Sequence, residues 1–126
     1  LALAEVSLRV RRALYLDRPF YHYRQRVDSG CHTGNAKALL DWVKAYDHVL
    51  ECFAEASVSA EIMLYVKRFS AYTASRAAKA ALASKDQISH QKAAAAMQRY
   101  QAEYEATNQM YPNRIRAFRE IMEWRI

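Results

Sequence analysis

Residues that break helices are almost absent from this chain of 126 residues. Glycine and proline occur twice each, and neither type occurs between Asn35 and Tyr111. Because sheet proteins place turn residues about every 8–12 positions, such a gap argues against strands. The dominant residues are instead strong helix formers: Ala, Leu, Glu, Lys, Arg and Gln. The sequence predicts an all-α fold of about five amphipathic helices, as a small bundle or an extended helical hairpin with terminal anchoring segments.

Cysteine is also scarce, since the chain contains only Cys31 and Cys52. A domain of this length folds without disulfides, so we expect free thiols in an intracellular, reducing compartment. No run of roughly 18 apolar residues, the length of a membrane-spanning helix, is present. The most apolar window, residues 49–66, contains three glutamates. The chain begins Leu-Ala-Leu-Ala without an initiator Met, as expected of a processed protein or a fragment, and a mitochondrial subunit fits these features.

Apolar residues recur at helical spacing, and residues 1–126 are interpreted as a single helical domain. The first helix is predicted over Leu3–Leu16 and ended by Pro19. Residues 19–34 form an aromatic and basic connector. Asn35 is a good N-cap for a second helix, whose apolar stripe we expect to be buried. This stripe contains Leu39, Trp42, Val43, Tyr46, Val49, Leu50 and Phe53.

Three more helices are predicted in the second half of the chain. Ser57 or Ser59 caps the third, and one face of it carries Ile62, Tyr65, Val66, Phe69, Tyr72 and Thr73. The segment from Ser84 to Gln87 has the spacing of a capping box and predicts a hairpin, although one long rod over residues 59–107 is the alternative. Pro112 suits the first position of a fifth helix. The positions expected to be buried on the last two helices are Ile88, Ala95, Met97, Tyr100, Tyr104, Ile115, Phe118, Ile121, Met122 and Ile126.

No combination of residues predicts catalysis or a cofactor. Zinc favours Cys and His ligands, and two pairs exist: adjacent Cys31 and His32, and His48 with Cys52 four positions later. The adjacent pair has poor chelating geometry. His48 lies nearly opposite the apolar stripe of the second helix and Cys52 lies on its flank. We interpret them as an exposed histidine and a partly buried structural thiol, and we expect no enzyme, no metal and no cofactor.

Basic residues outnumber acidic ones by 19 to 13, and the net charge of +6 is spread along the chain. The first basic set, Arg9, Arg11, Arg12, Arg18, Arg24 and Arg26, is interleaved with Tyr15, Phe20, Tyr21 and Tyr23. The second set is Lys67, Arg68, Arg76 and Lys79, and the third is Arg114, Arg116, Arg119 and Arg125. Arginine with aromatic rings fits a nucleic-acid surface. The same residues are enriched at protein–protein interfaces, and no nucleic-acid-binding motif is visible.

The leading hypothesis is therefore a non-catalytic helical accessory or scaffold subunit that docks on a larger protein assembly. The alternative is a nucleic-acid-binding protein that uses residues 9–26 to bind RNA or single-stranded DNA. Contact of the basic first helix with a membrane surface is a third hypothesis. The predicted partner-binding residues are Arg9, Arg12, Arg18, Phe20, Tyr21, Tyr23, Arg24, Arg26, Tyr111, Arg114 and Trp124.

Overall fold

A computed structural model describes residues 2–15, 17–18 and 35–124. These residues are 79% helical and include no strand, so the all-α prediction is confirmed. Six helices are present in this part of the chain, one more than expected. They are α1 (Ala2–Arg9), α2 (Ala36–Glu55), α3 (Ala60–Ala83), α4 (Gln87–Arg99), α5 (Gln101–Thr107) and α6 (Pro112–Glu123). None of them is long and apolar enough to cross a bilayer.

Side-chain caps fix the ends of the α2–α3 hairpin. The side chain of Asn35 accepts from the backbone N–H of Ala38 at 2.7 Å, which confirms the predicted start of α2. Ser59 is the N-cap of α3, and its hydroxyl accepts from the N–H of Ile62 at 3.5 Å. Ser57, the other predicted cap, takes a positive φ of 54° in the turn between the helices. Because this turn is short, α2 and α3 lie antiparallel and side by side.

The chain reverses again between α3 and α4, so the hairpin prediction is right and the single rod over residues 59–107 is wrong. Asp86, rather than the predicted Ser84, caps α4, and its carboxylate accepts from the N–H of Ser89 at 3.0 Å. Hydrogen bonds from the side chain of Ser89 and then from its backbone N–H lower the pKa of Asp86. Ser84 instead ends α3, where its hydroxyl donates to the carbonyl of Ala80 at 3.0 Å. Lys85 makes the reversal with a positive φ of 56°.

Helix α3 is the centre of the bundle and contacts α2, α4, α5 and α6. Its buried side consists of small residues: Ser70, Ala71, Thr73, Ala74, Ser75, Ala77, Ala78 and Ala81. Small side chains let neighbouring helix backbones approach closely, which explains why this face of α3 is the one that packs against the other helices. Large side chains from the other helices, including Leu39, Val43, Met97 and Phe118, fill the core against it.

Several predicted core positions are therefore wrong. Ile62, Tyr65, Phe69 and Tyr72 are exposed on α3, because the opposite, alanine-rich face turns inward. On α2, Leu39, Val43 and Leu50 are buried as predicted. Trp42 is 59% exposed, because it projects to one side of the face that these three residues form. Ile88 and Ala95 are exposed on α4 because Ser89, His90, Ala93, Ala96 and Met97 face the core instead.

The first helix is shorter than predicted, whereas the last helix begins at the predicted residue. α1 ends at Arg9 and does not reach Leu16, since residues 10–15 are irregular. Pro112 is the first residue of α6, as predicted. Proline suits this position because the first residue of a helix needs no backbone N–H for an intrahelical hydrogen bond. Phe118 and Ile121 are buried on α6, as predicted, whereas Ile126 lies outside the described residues.

Candidate functional site

A groove of about 430 Å³ separates α3 from the last two helices. We call it the α3–α6 groove. Its walls come from the outer side of α3 and from α6, and its end is closed by α5 and the turn that follows. The lining residues are Arg68, Phe69, Tyr72, Ser75, Lys79, Tyr104, Asn108, Arg114, Ala117, Phe118 and Ile121.

The floor of the groove is aromatic and buried. The rings of Tyr104 and Phe118 stack with their centroids 4.2 Å apart and their planes 16° from parallel. Both residues are more than nine-tenths buried. Burial raises the pKa of Tyr104, while the positive charges of Arg114 and Arg68 oppose that rise. The Nδ2 of Asn108 donates to the carbonyl of Tyr104 at 2.8 Å and holds the turn after α5 in place.

Among the described residues, the walls of the groove carry three cations, Arg68, Lys79 and Arg114, and no carboxylate. Within the described residues, none of the three forms an ion pair. Arg114 is held over the ring of Tyr111, with its Cζ 4.5 Å from the ring centroid. The groove therefore presents positive charge above an apolar floor.

The two acidic residues of α5 near the groove form ion pairs with residues outside its lining. Glu103 accepts from Lys67 at 2.9 Å, which joins α5 to α3. Glu105 accepts from Nε and Nη2 of Arg119 at 2.7 and 2.6 Å, which joins α5 to α6. These contacts orient the two helices that form one side of the groove. They also pair the two acids of α5 with other cations, so neither Glu103 nor Glu105 compensates the charge of the groove.

An exposed apolar stripe continues from the groove along α3. We call it the α3 outer stripe. It consists of Ile62, Tyr65, Phe69 and Tyr72, which lie at helical spacing, and each is about half exposed. Phe69 and Tyr72 belong to both the stripe and the groove. Contiguous apolar surface of this kind marks interaction sites on globular domains.

The structure places the predicted partner-binding residues in different surroundings. Arg114 lines the groove, and its guanidinium lies over the ring of Tyr111. Trp124 is half exposed and lines a separate hollow between α4 and α6. Arg9 lines a hollow near α2, while Arg12 and Arg18 are exposed in the irregular segment after α1. The other five, Phe20, Tyr21, Tyr23, Arg24 and Arg26, lie outside the described residues.

Sequence reasoning missed most of the groove because it assigned the aromatic residues of α3 to the core. Arg68 and Lys79 belong to the second basic set and Arg114 to the third, and the fold brings these two sets together. The signal that could have identified the groove was the strict Ala/Ser pattern on the other face of α3. Such a pattern is typical of a helix that packs closely on that side.

A second cluster of chemically reactive side chains lies between α1 and α2. Glu5, His48 and Cys52 each offer one ligand atom, and these atoms all lie within 4.8 Å of one another. His48 is exposed and Cys52 is half-buried, as interpreted from the sequence. The approach of Glu5 was not predicted, because only the fold brings α1 against this face of α2. Cys31 and His32 lie outside the described residues.

Comparison with models of protein families, with curated proteins and with solved structures finds no match to this chain.

Proposed function

We propose that this protein is a non-catalytic helical module that docks on partner proteins in a larger assembly. Its docking surface is the α3–α6 groove with the α3 outer stripe. The occupant that fits it is an amphipathic segment of a partner that carries acidic side chains beside large apolar ones. The observation that supports this most strongly is the lining of the groove, where the described residues place three cations and no carboxylate above stacked aromatic rings.

Apolar burial supplies most of the binding energy in this proposal. Phe69 and Tyr72 are 52% and 50% exposed, so a bound segment can cover about half of each ring. Covering roughly 100 Å² of apolar surface on each contributes about 2 kcal/mol per ring before the cost of association. Exposed ion pairs contribute only about 0.2–1 kcal/mol each. The three cations therefore select an acidic partner and set its orientation more than they set its affinity.

The polar groups of the groove suit binding rather than chemistry. The hydroxyl of Ser75 donates to the carbonyl of Tyr72 at 2.7 Å, and Asn108 donates to the carbonyl of Tyr104. No histidine, cysteine or carboxylate lines the described walls of the groove, and the hydroxyl of Ser75 donates to the backbone rather than to Lys79, which lies one turn along α3. A nucleophile needs such a base within hydrogen-bonding reach.

A peptide selection on the full chain tests the proposal. We expect random peptides displayed on phage to be enriched in sequences that combine Asp or Glu with Leu, Phe or Trp. The selected peptide, titrated against the full chain, should lose roughly 30-fold in affinity with Phe69→Ala, which corresponds to about 2 kcal/mol. Arg114→Glu should weaken the affinity for the peptide roughly tenfold, because the substitution removes a positive charge that attracts the acidic peptide and adds a negative charge that repels it.

Matched controls separate the groove from general effects. Trp42→Ala removes an exposed ring outside the groove, and Arg116→Glu makes the same charge change on α6 away from the lining. Both should leave peptide affinity within about twofold, because distant surface changes are usually small. Selection of basic peptides, or equal effects of the groove and control variants, would contradict the proposal.

The nucleic-acid alternative predicts a different result from the same chain. Its evidence is the exposure of Arg9, Arg11 and Arg12 next to the connector. If it holds, single-stranded RNA or DNA binds at low salt and the affinity falls steeply between about 50 and 200 mM salt. Binding of that kind, insensitive to Phe69→Ala, would favour this alternative over the docking module.

A further inference from the structure

We propose that Glu5, His48 and Cys52 form a binding site for a zinc-class divalent cation that links α1 to α2. Two of the three ligands are four residues apart on α2, so they project from the same side of that helix. The third comes from α1, which is the element that packs on this side. The inference is independent of the docking surface, which none of these residues lines.

The spacing of the ligand atoms matches that of a tetrahedral site. The Sγ of Cys52 and the Nε2 of His48 are 3.5 Å apart. With zinc bonds of about 2.3 Å to sulfur and 2.1 Å to nitrogen, tetrahedral geometry places these two atoms about 3.6 Å apart. A carboxylate oxygen of Glu5 lies within 4.8 Å of the Sγ of Cys52 and of a ring nitrogen of His48. Small rotations of this exposed side chain can bring it to bonding distance.

A neighbouring carboxylate orients the histidine for metal binding. The Oε2 of Glu51 lies 3.5 Å from the Nδ1 of His48, one turn along α2. A carboxylate beside Nδ1 favours the tautomer that carries its proton there, which leaves the lone pair of Nε2 directed at Cys52. Metal-binding histidines commonly have this kind of carboxylate partner, and its loss typically costs about 10–100-fold in metal affinity.

The donor set selects the class of cation. A thiolate, an imidazole and a carboxylate suit zinc and cobalt, whereas magnesium and calcium prefer all-oxygen sites. Three protein ligands leave a fourth position open. Beside the cluster is an open hollow of about 430 Å³, lined in part by Glu5, Cys52 and Glu55. Water, Glu55 or a side chain from a partner can complete the coordination there.

The test is a titration of the full-length chain with Co²⁺, followed by competition with Zn²⁺. We expect one metal ion per chain with a dissociation constant of about 10 μM or tighter. Bound Co²⁺ should give thiolate charge-transfer absorption and the intense visible bands of a four-coordinate ion. Zinc should displace it and raise the unfolding temperature.

Variants identify the ligands. Cys52→Ser should abolish the charge-transfer absorption, Glu5→Gln should weaken binding roughly tenfold, and Glu51→Gln should weaken it about 10–100-fold. Cys31→Ser removes the other thiol of the chain and should change nothing. Circular dichroism of each variant confirms that the helices remain. Absence of thiolate absorption, or loss of it with Cys31→Ser instead of Cys52→Ser, overturns the proposal and leaves a thiol–imidazole hydrogen bond only.

Discussion

Enlarging a buried alanine of α3 should destabilise the protein more than removing a large aromatic residue from its other face. Ala74 is fully buried, and Leu at this position adds three carbon atoms where neighbouring helices are in close contact. Overpacking of this kind costs about 1–3 kcal/mol, and we expect the upper end because the other alanines around Ala74 are equally buried. Phe69→Ala should cost about 2 kcal/mol or less, since half of the ring is already in water.

Urea unfolding, followed by circular dichroism, measures both changes. With a slope of about 1.5 kcal/mol per M, a loss of 3 kcal/mol lowers the midpoint by about 2 M. Ala83→Leu is the matched control, because Ala83 is exposed on the same helix and Leu is nearly as good a helix former as Ala. If Ala74→Leu behaves like this control while Phe69→Ala costs the roughly 3–5 kcal/mol of a fully buried ring, the large residues and not the alanines of α3 face the core.

Further predictions concern the core and the contacts between helices. Phe118→Ala should cost about 3–5 kcal/mol in urea unfolding, since its ring is buried and stacked on Tyr104. Trp42→Ala should cost only about 2 kcal/mol in the same assay, because most of that ring is exposed. Tyr100→Phe removes the hydroxyl that donates to Asp47 at 2.8 Å and should cost about 1 kcal/mol. Burial, and then the bond to Asp47, raise the pKa of Tyr100 from 10.0 to about 12. The protonated form is therefore favoured in the fold, and its stabilisation, present below pH 10, is lost as the pH rises through about 12. Ultraviolet titration should show that this variant lacks one late-titrating tyrosine, and an unchanged titration curve would contradict the assignment.

The general architecture follows from local sequence signals. The gap in glycine and proline predicts helices, and the caps at Asn35 and Ser59 fix where α2 and α3 begin. Pro112 marks the start of α6. These signals act within one turn of the chain, so the identity of a few neighbouring residues is enough to specify them.

The buried face of α3 could not be predicted from hydrophobicity alone. This helix has two faces of low polarity, one of large residues and one of alanine and serine. The large residues bury more surface per side chain, yet the small ones allow closer contact with several neighbouring helices at once. Which effect dominates depends on how many helices surround α3, and that is a property of the whole fold.

The candidate sites depend on contacts between distant parts of the sequence. Arg68 and Arg114 are far apart in the chain, and both line the groove only because α6 packs beside α3. Glu5 reaches His48 and Cys52 in the same way, through the position of α1. Helical periodicity places residues on a face but does not specify which faces meet.

Chemical labelling of engineered cysteines measures whether the outer face of α3 is free to accept a partner. In a chain with Cys31→Ser and Cys52→Ser, a thiol reagent is applied to the Tyr72→Cys and Ala78→Cys variants, with and without the selected acidic peptide. We expect rapid labelling at position 72, slowed at least about tenfold by saturating peptide, and slow labelling at the buried position 78 in both conditions. Slow labelling at position 72 in the free protein, or labelling there that the bound peptide does not slow, would contradict this expectation.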